Sequence, residues 1–303
     1  MELTFLGTSA STPTVFRSLP AIALKLDEGS TILFDCGEGT QRQMMRCGTS
    51  FMSVDKIFIS HFHCDHHLGL SGLLQTMNIN SREKPIDIYG PDGIEELVEN
   101  ILKIGYFKLR FDLMVHALKD CDRVSRGNYS VECRENNHCK NSLAFAIEEK
   151  PRRGKFYVEK VKNLGIPPGP LYRRLQEGET IVLNGKRIEP NMVLGPSRKG
   201  RKMCYSGDTA YCENVIELAR ESDVLIHDST FSEDMKEEAG KFGHSTATEA
   251  AKVAKAAKAK KLFLFHISPR YNHAKVLENE AKKIFENSTV AEDFMKYRIR
   301  YKD

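Results

Sequence analysis

Four residues able to ligate a metal ion, His61, His63, Asp65 and His66, fall within the run His61-Phe62-His63-Cys64-Asp65-His66. His61 and His63 are two positions apart, so on an extended backbone their rings project to the same side. Asp65 and His66 lie past the turn that must follow, where they can serve a neighbouring ion. Imidazole and carboxylate in an open, roughly tetrahedral site are the donors of catalytic zinc. A lone histidine is usually structural; four ligand-type side chains directly after a buried strand point to a metal centre.

The surrounding elements must hold that run. Asp55–Ser60 reads as a mostly apolar strand leading into it, and His66–Met77, with leucines at 68, 70, 73 and 74, as the helix leaving it. Leu3–Leu6, Ala21–Leu26, Thr31–Asp35 and Ile86–Tyr89 are short and rich in strand formers. Pro91–Ile104 has the early proline of a helix start. Tyr129–Glu135 and Ser142–Ile147 read as further strands. Beyond Lys202 the strands are Met203–Ser206, Val224–His227 and Leu262–Phe265. The helices are Glu213–Arg220, Thr246–Ala259 with Ser245 as its expected cap, and His273–Glu286. Two strand-rich halves, each followed by helices, predict an α/β fold of two packed sheets with helices outside.

One segment interrupts the alternation. Between Lys150 and Arg174 the chain carries eight basic residues, Lys150, Arg152, Arg153, Lys155, Lys160, Lys162, Arg173 and Arg174, against the single acid Glu159. A Gly165-Ile166-Pro167-Pro168-Gly169-Pro170 turn separates two short helical stretches. Residues 150–178 are therefore expected to stand off the body as an inserted arm without a core of its own, in a chain that is otherwise one domain over 1–303. A second basic cluster is Arg198-Lys199-Gly200-Arg201-Lys202.

Composition narrows the class. With 41% apolar and 28% charged residues, 303 residues suit a globular protein with a sizeable core. No apolar stretch approaches the roughly 18 residues of a membrane span, and the start does not read as a signal peptide. The eight cysteines are scattered without a C-x-x-C pair, the pattern of reduced thiols in a cytoplasmic protein. A net charge of +4 does not by itself imply nucleic acid, so the local excess in the arm is the more informative feature.

The run His61–His66 resembles the H-x-H-x-D-H signature of the metallo-β-lactamase superfamily, and the resemblance covers nearly the whole chain. It implies a four-layer αββα sandwich and a site for two zinc ions. Carried over, His61, His63 and His138 hold one ion, Asp65, His66 and His266 the other, and Asp208 bridges them. A diiron redox branch carries a carboxylate at the place of His63, so the histidine pair favours zinc and hydrolysis.

Further segments are similar to the ribonuclease Z family in its short form. They include Leu3-Thr4-Phe5-Leu6-Gly7-Thr8-Ser9, Phe34-Asp35-Cys36-Gly37-Glu38-Gly39-Thr40-Gln41, the Gly165–Leu171 turn, Gly243-His244-Ser245-Thr246-Ala247 and His266-Ile267-Ser268-Pro269-Arg270-Tyr271. That resemblance implies an endoribonuclease that removes the 3′ trailer from precursor tRNA and leaves a 3′-hydroxyl. Asp65 would be the general base and His244 the proton donor, with Asp228 orienting it. Arg152, Arg153, Lys155 and Arg173 of the arm would grip RNA, and Arg270 a phosphate. It further implies a cytoplasmic homodimer. Three departures stand out: Asp228 where the family commonly has glutamate, no proline or glycine directly after His138, and Pro269 for a frequent serine. The alternatives are a hydrolase of small phosphodiesters, thioesters or aryl esters on the same fold, which would not need the arm, and an RNA-binding subunit with a decayed site.

Overall fold

The structure is a computed structural model and describes residues 1–105 and 108–301. In chain order its strands are β1 (Glu2–Gly7), β2 (Ala21–Lys25), β3 (Thr31–Phe34), β4 (Val54–Phe58), β5 (Ile86–Pro91), β6 (Leu113–Leu118), β7 (Arg123–Arg126) and β8 (Tyr129–Glu135). Then come β9 (Leu143–Glu149), β10 (Ile181–Leu183), β11 (Lys186–Ile188), β12 (Lys202–Tyr205), β13 (Val224–Asp228), β14 (Leu262–Phe265), β15 (Ser288–Val290) and β16 (Lys296–Arg298). Two compact units result, one of residues 1–147 and 202–300, the other of 148–201 with Tyr301.

The larger unit contains two seven-stranded sheets, ordered β16-β1-β2-β3-β4-β5-β6 and β15-β14-β13-β12-β9-β8-β7. β1 to β3 pair antiparallel, and β3 to β6 are parallel, as are β12 to β15. Side chains alternate across each strand, and the alternation makes the layers. Leu3, Phe5, Ile22, Phe34 and Phe58 of the first sheet meet Phe145, Tyr205, Ile226, Phe263 and Phe265 of the second in one buried cluster. The intervening residues point outward. Leu33, Ile57 and Ile88 pack on Leu70, Leu73, Ile94 and Val98 of the helices Gly69–Ile79 and Ile94–Leu102. Cys204, Leu225 and Leu264 pack on Ala247, Ala250, Ala251 and Ala254 of the helix Ala247–Ala256. The order helix, sheet, sheet, helix is the expected four-layer αββα sandwich.

Local differences from the sequence reading have identifiable causes. The helix expected from Pro91 begins at Ile94, because Pro91 closes β5 and Gly93 takes a left-handed conformation, φ 97°, at the cap. The helix expected over His66–Met77 is two helices, Cys64–His67 and Gly69–Ile79. The cap of the alanine-rich helix is Thr246, not Ser245. Thr246 accepts from the Glu249 backbone N–H in a reciprocal capping box, while Ser245 donates its hydroxyl to Thr209 O at 2.7 Å.

The second unit corrects the expectation of a coreless arm over 150–178. Val161, Ile166 and Leu175 lie around the helices Val158–Asn163 and Pro170–Gln176. They are buried together with Ile181, Ile188 and Val193 from the β10–β11 hairpin and its exit. Helices of six and seven residues are too short to be stable alone, and the hairpin supplies the cover they need. No helix among the described residues is long and apolar enough to cross a membrane.

Candidate metal centre

The residues singled out as metal ligands sit where strands end. β4 runs through Ile59 and Ser60 into His61 and His63, and the single-turn helix Cys64–His67 then carries Asp65 and His66. His138 lies between β8 and β9, Asp208 just beyond β12, and His266 directly after β14. At such ends the backbone leaves its ladder, so side chains from separate strands can converge. Asp35 and His266 turn inward through left-handed backbone, φ 55° and 59°, a conformation costing a non-glycine residue about 1–2 kcal/mol.

The side chains form two donor groups that share Asp208 Oδ2. In the first, His61 Nε2 and His138 Nε2 each lie 3.0 Å from His63 Nδ1, and 3.7 and 3.9 Å from Asp208 Oδ2. In the second, His66 Nε2 and His266 Nε2 lie 3.5 and 3.4 Å from Asp65 Oδ2, and 3.2 and 3.3 Å from Asp208 Oδ2. Four imidazole nitrogens thus surround one carboxylate oxygen. All of these residues are buried or half-buried except His63, which is open to solvent.

The outer hydrogen bonds fix which nitrogens face inward. His138 Nδ1 donates to Gly243 O at 2.9 Å, and His66 Nδ1 to Asp35 Oδ2 at 2.7 Å. Ser60 Oγ donates to Asp35 Oδ2 and so accepts from His61 Nδ1 at 3.0 Å. Thr230 Oγ1 donates to Asp228 Oδ1 and so accepts from His266 Nδ1 at 2.9 Å. With Nδ1 donating outward, Nε2 of each ring faces Asp208, and in the neutral form of a ring it presents a lone pair there. Lone pairs facing a carboxylate repel one another unless a cation lies between them. His66 Nε2 and Asp208 Oδ1 are accordingly buried without a hydrogen-bond partner. The donor set fits metal ions of the imidazole- and carboxylate-binding kind.

The acids at the centre affect the rings around them differently. Burial and the neighbouring His66 push His61 well below the usual histidine range. Burial works the same way on His66, but Asp208 and Asp35 on either side of it hold its pKa well above that range. Burial opposes the charge of Asp208, yet His266 and His66 keep its carboxyl well below the ordinary carboxylate range. Such a set of buried acids calls for positive charge at their centre.

Beside the donors stands His244, whose Nδ1 lies 2.8 Å from Asp228 Oδ2. Burial lowers its pKa, but Asp228 outweighs burial and raises it to about 9. The ring stacks on His266 with centroids 5.2 Å apart. Gly243 before it has φ 69°, and a Cβ there would come within 3.0 Å of His138 O, so both the turn and the close approach require glycine.

Several supporting residues carried no role in the sequence reading. Asp35 accepts from His66, Ser60 and the Tyr205 hydroxyl, the last at 2.6 Å. Thr230 links His266 to Asp228, and Ser11 N–H donates to Asp65 Oδ2 at 2.9 Å. The available signal for Asp35 was an acid closing an apolar strand, Thr31–Phe34, that pairs in parallel with β4. Gly69 holds this corner together: its N–H donates to Cys36 O at 2.8 Å, and a Cβ would lie 2.0 Å from Gly37 O. Other histidines lie apart from the donors. His67 faces Phe62 O, His116 pairs with Asp87, and His227 bonds the Asp228 carbonyl.

Comparison with known proteins places the chain. A family model described as "Anti-Pycsar protein Apyc1" matches residues 1–153, and one described as "Beta-lactamase superfamily domain" matches 185–267. Over its full length the chain is similar to Ribonuclease Z of Archaeoglobus fulgidus, 48% identical over 99% of this chain and 98% of that protein. Ribonuclease Z of Methanosarcina acetivorans is 46% identical over 100% and 99%. The chain belongs to the ribonuclease Z family. Among solved structures, human tRNase Z, short form, superposes with a TM-score of 0.74 at 30% identity, covering 99% of this chain and all of that one. YhfI of Bacillus subtilis, a metallo-β-lactamase fold protein, matches at 0.70 over 98% of both chains with 18% identity and shares the fold.

In this ribonuclease Z family member a cleft of about 480 Å³ opens on the donors, lined by His63, Asp65, His138, His244, Phe231 and Arg270 among others. Arg270 is exposed; its Nε donates to Ser268 Oγ at 3.1 Å and its guanidinium lies 5.1 Å from the Phe231 ring centroid. In the smaller unit the expected RNA-binding residues divide. The Arg152 guanidinium lies 3.6 Å from the Tyr301 ring centroid, and Arg173 Nε donates to Glu177 Oε1 at 2.8 Å. Arg153 reaches Gln176 O at 2.7 Å and is exposed, as is Lys155.

Proposed function

We propose that this chain is a zinc-dependent endoribonuclease that removes the 3′ trailer from precursor tRNA and leaves a 3′-hydroxyl on the tRNA. The observation that carries the reading is the convergence of His61, His63 and His138 on one side, and Asp65, His66 and His266 on the other, upon the shared carboxylate of Asp208. The full-length likeness to Ribonuclease Z proteins supplies the substrate class. We infer two zinc ions per chain, held by these two groups with Asp208 between them. A cytoplasmic homodimer is part of the same reading.

Bound there, zinc supplies Lewis acidity toward water and a phosphoryl oxygen at neutral pH. The protein's own groups handle protons and orientation. Asp65, fixed by the Ser11 N–H, is placed to take a proton from the attacking water. The water oxygen joins the scissile phosphorus, and the bond from phosphorus to the tRNA O3′ breaks. The phosphate stays on the 5′ end of the trailer. His244, kept protonated by Asp228, gives its proton to the departing O3′. Arg270 at the cleft edge is the candidate fork for a phosphate. Exposed Arg153 and Lys155, with the other basic residues of the smaller unit, are the candidates for backbone contact, the kind of binding that grips a folded RNA without reading its sequence.

The test is 3′-end mapping of a trailer-bearing tRNA precursor incubated with zinc-loaded and with chelator-stripped protein. A single zinc-dependent cut past the acceptor stem, leaving a 3′-hydroxyl, supports the reading. If protein that still holds zinc hydrolyses a simple phosphodiester or ester yet leaves the precursor intact, the substrate is a small molecule instead.

A further inference from the structure

The connection between β1 and β2 is a loop held at its base and bare at its tip. Ser9 N–H donates to Ser18 O at 2.9 Å. Asp293, far along the chain, accepts from Ser18 N–H at 2.7 Å, the Thr8 hydroxyl at 2.8 Å and Gln43 Nε2 at 3.0 Å. Arg17 Nη1 donates to Thr8 Oγ1 at 2.7 Å and Ala291 O at 2.6 Å. Inside the loop, Thr14 N–H donates to Arg17 O at 2.7 Å, and Thr14 Oγ1 accepts from the N–H groups of Phe16 and Arg17. On the side of the metal centre, Ser11 N–H bonds Asp65, and Ala10 and Ser11 line the cleft.

At the tip of this braced loop Val15 is 95% exposed and Phe16 77% exposed. Neither is needed for the core. Phe16 lies five residues beyond Ser11, at most about 18 Å of extended chain from the Asp65 contact. Scattered surface apolar residues need no explanation. Two adjacent ones on a fixed loop that also grips a catalytic carboxylate are a different arrangement, because the bracing has already paid the ordering entropy of the platform. Resting on the ribonuclease reading, the chemistry that fits is an unpaired nucleobase. Single-stranded RNA ends offer splayed bases, and each base has an aromatic face that stacks on phenylalanine whatever its identity.

We propose that Phe16, with Val15 beside it, is a stacking platform for a nucleobase adjoining the scissile phosphodiester. The chain contains no tryptophan, so Phe16→Trp places a single fluorophore at the platform. Ile79→Trp, at an equally exposed position ending the helix Gly69–Ile79, serves as control. Titrating zinc-loaded Phe16→Trp protein with a tRNA precursor is expected to give saturable quenching, with none for Ile79→Trp. Phe16→Ala is expected to raise KM for the precursor about tenfold and to leave turnover of bis(p-nitrophenyl) phosphate unchanged, while Phe16→Trp retains the wild-type KM. If the wild type cuts the precursor but Phe16→Trp is not quenched and Phe16→Ala cuts normally, the platform is refuted while the ribonuclease reading stands. Fluorescence that changes with protein concentration and not with RNA would assign the tip to contact between copies of this chain and overturn the proposal. If the wild type cuts no precursor, both fall together.

Discussion

Asp228 Oδ2 lies 2.8 Å from His244 Nδ1, while its other oxygen accepts from the Thr230 hydroxyl that in turn accepts from His266. One fully buried carboxylate therefore orients both the candidate acid and one candidate zinc ligand. The side chain is an aspartate where the family commonly has a glutamate, and the pair nevertheless meets at hydrogen-bonding distance.

The pH profile should report this pair. Asp228 raises the His244 pKa to about 9 against the opposing effect of burial. A raised pKa means that the protonated acid is fully present at low pH and is lost as pH rises through that value. Cleavage by the wild type should thus fall on an alkaline limb no higher than about 9, since nearby cations can only lower it. In Asp228→Asn the limb should move toward the ordinary histidine value, and kcat should drop by roughly 10²–10⁴-fold. An unmoved limb would remove His244 as the acid.

Substitution of His244 itself separates acid from ligand. His244→Ala is expected to lose turnover to a similar extent while binding as much zinc as the wild type. Zinc-free His244→Ala protein, measured by elemental analysis, would make it a ligand and refute the assignment.

Thr230→Val keeps the side-chain shape and deletes the hydroxyl between His266 and Asp228. Outer partners of a metal-bound histidine typically matter by about 10–100-fold. Zinc affinity from competition with a chelator should weaken by that order. Equal affinity would mean that Thr230 does not set the His266 tautomer.

Charge reversal in the smaller unit tests RNA contact. Removing 151–177 would also remove Val161, Ile166 and Leu175 from that unit's core, so a deletion confounds folding with binding. Arg153→Glu with Lys155→Glu changes only exposed positions. It should raise KM for the precursor, flatten the salt dependence by about 0.7–0.9 per lost phosphate contact in a log–log plot, and leave a small phosphodiester unaffected. Equal loss on both substrates would remove the RNA-binding role.

Much of this was legible in the sequence, for reasons that differ by residue. The strands could be read because β3 and β14 are buried along their whole length, and β12 over its last three residues, so that they appear as short apolar runs. His61, His63, Asp65 and His66 announced themselves by proximity. His138, Asp208 and His266 needed the resemblance, because ligands that meet in space from separate strand ends leave no local spacing. Asp35 and Thr230 act through hydrogen bonds to those ligands, and an acid or threonine after a strand has many ordinary roles. The core of the smaller unit was missed because Ile181, Ile188 and Val193 lie in short segments beyond the expected boundary at 178. Ser245 and Thr246 are both good caps, and only Thr246 stands three residues before Glu249.

The most direct test of the central claim is anomalous diffraction at the zinc edge from crystals of zinc-loaded protein. The account predicts two peaks on opposite sides of the Asp208 carboxylate, one among His61, His63 and His138, the other among Asp65, His66 and His266, and loss of both in Asp208→Ala. A single peak, or peaks that survive Asp208→Ala unchanged, would contradict it.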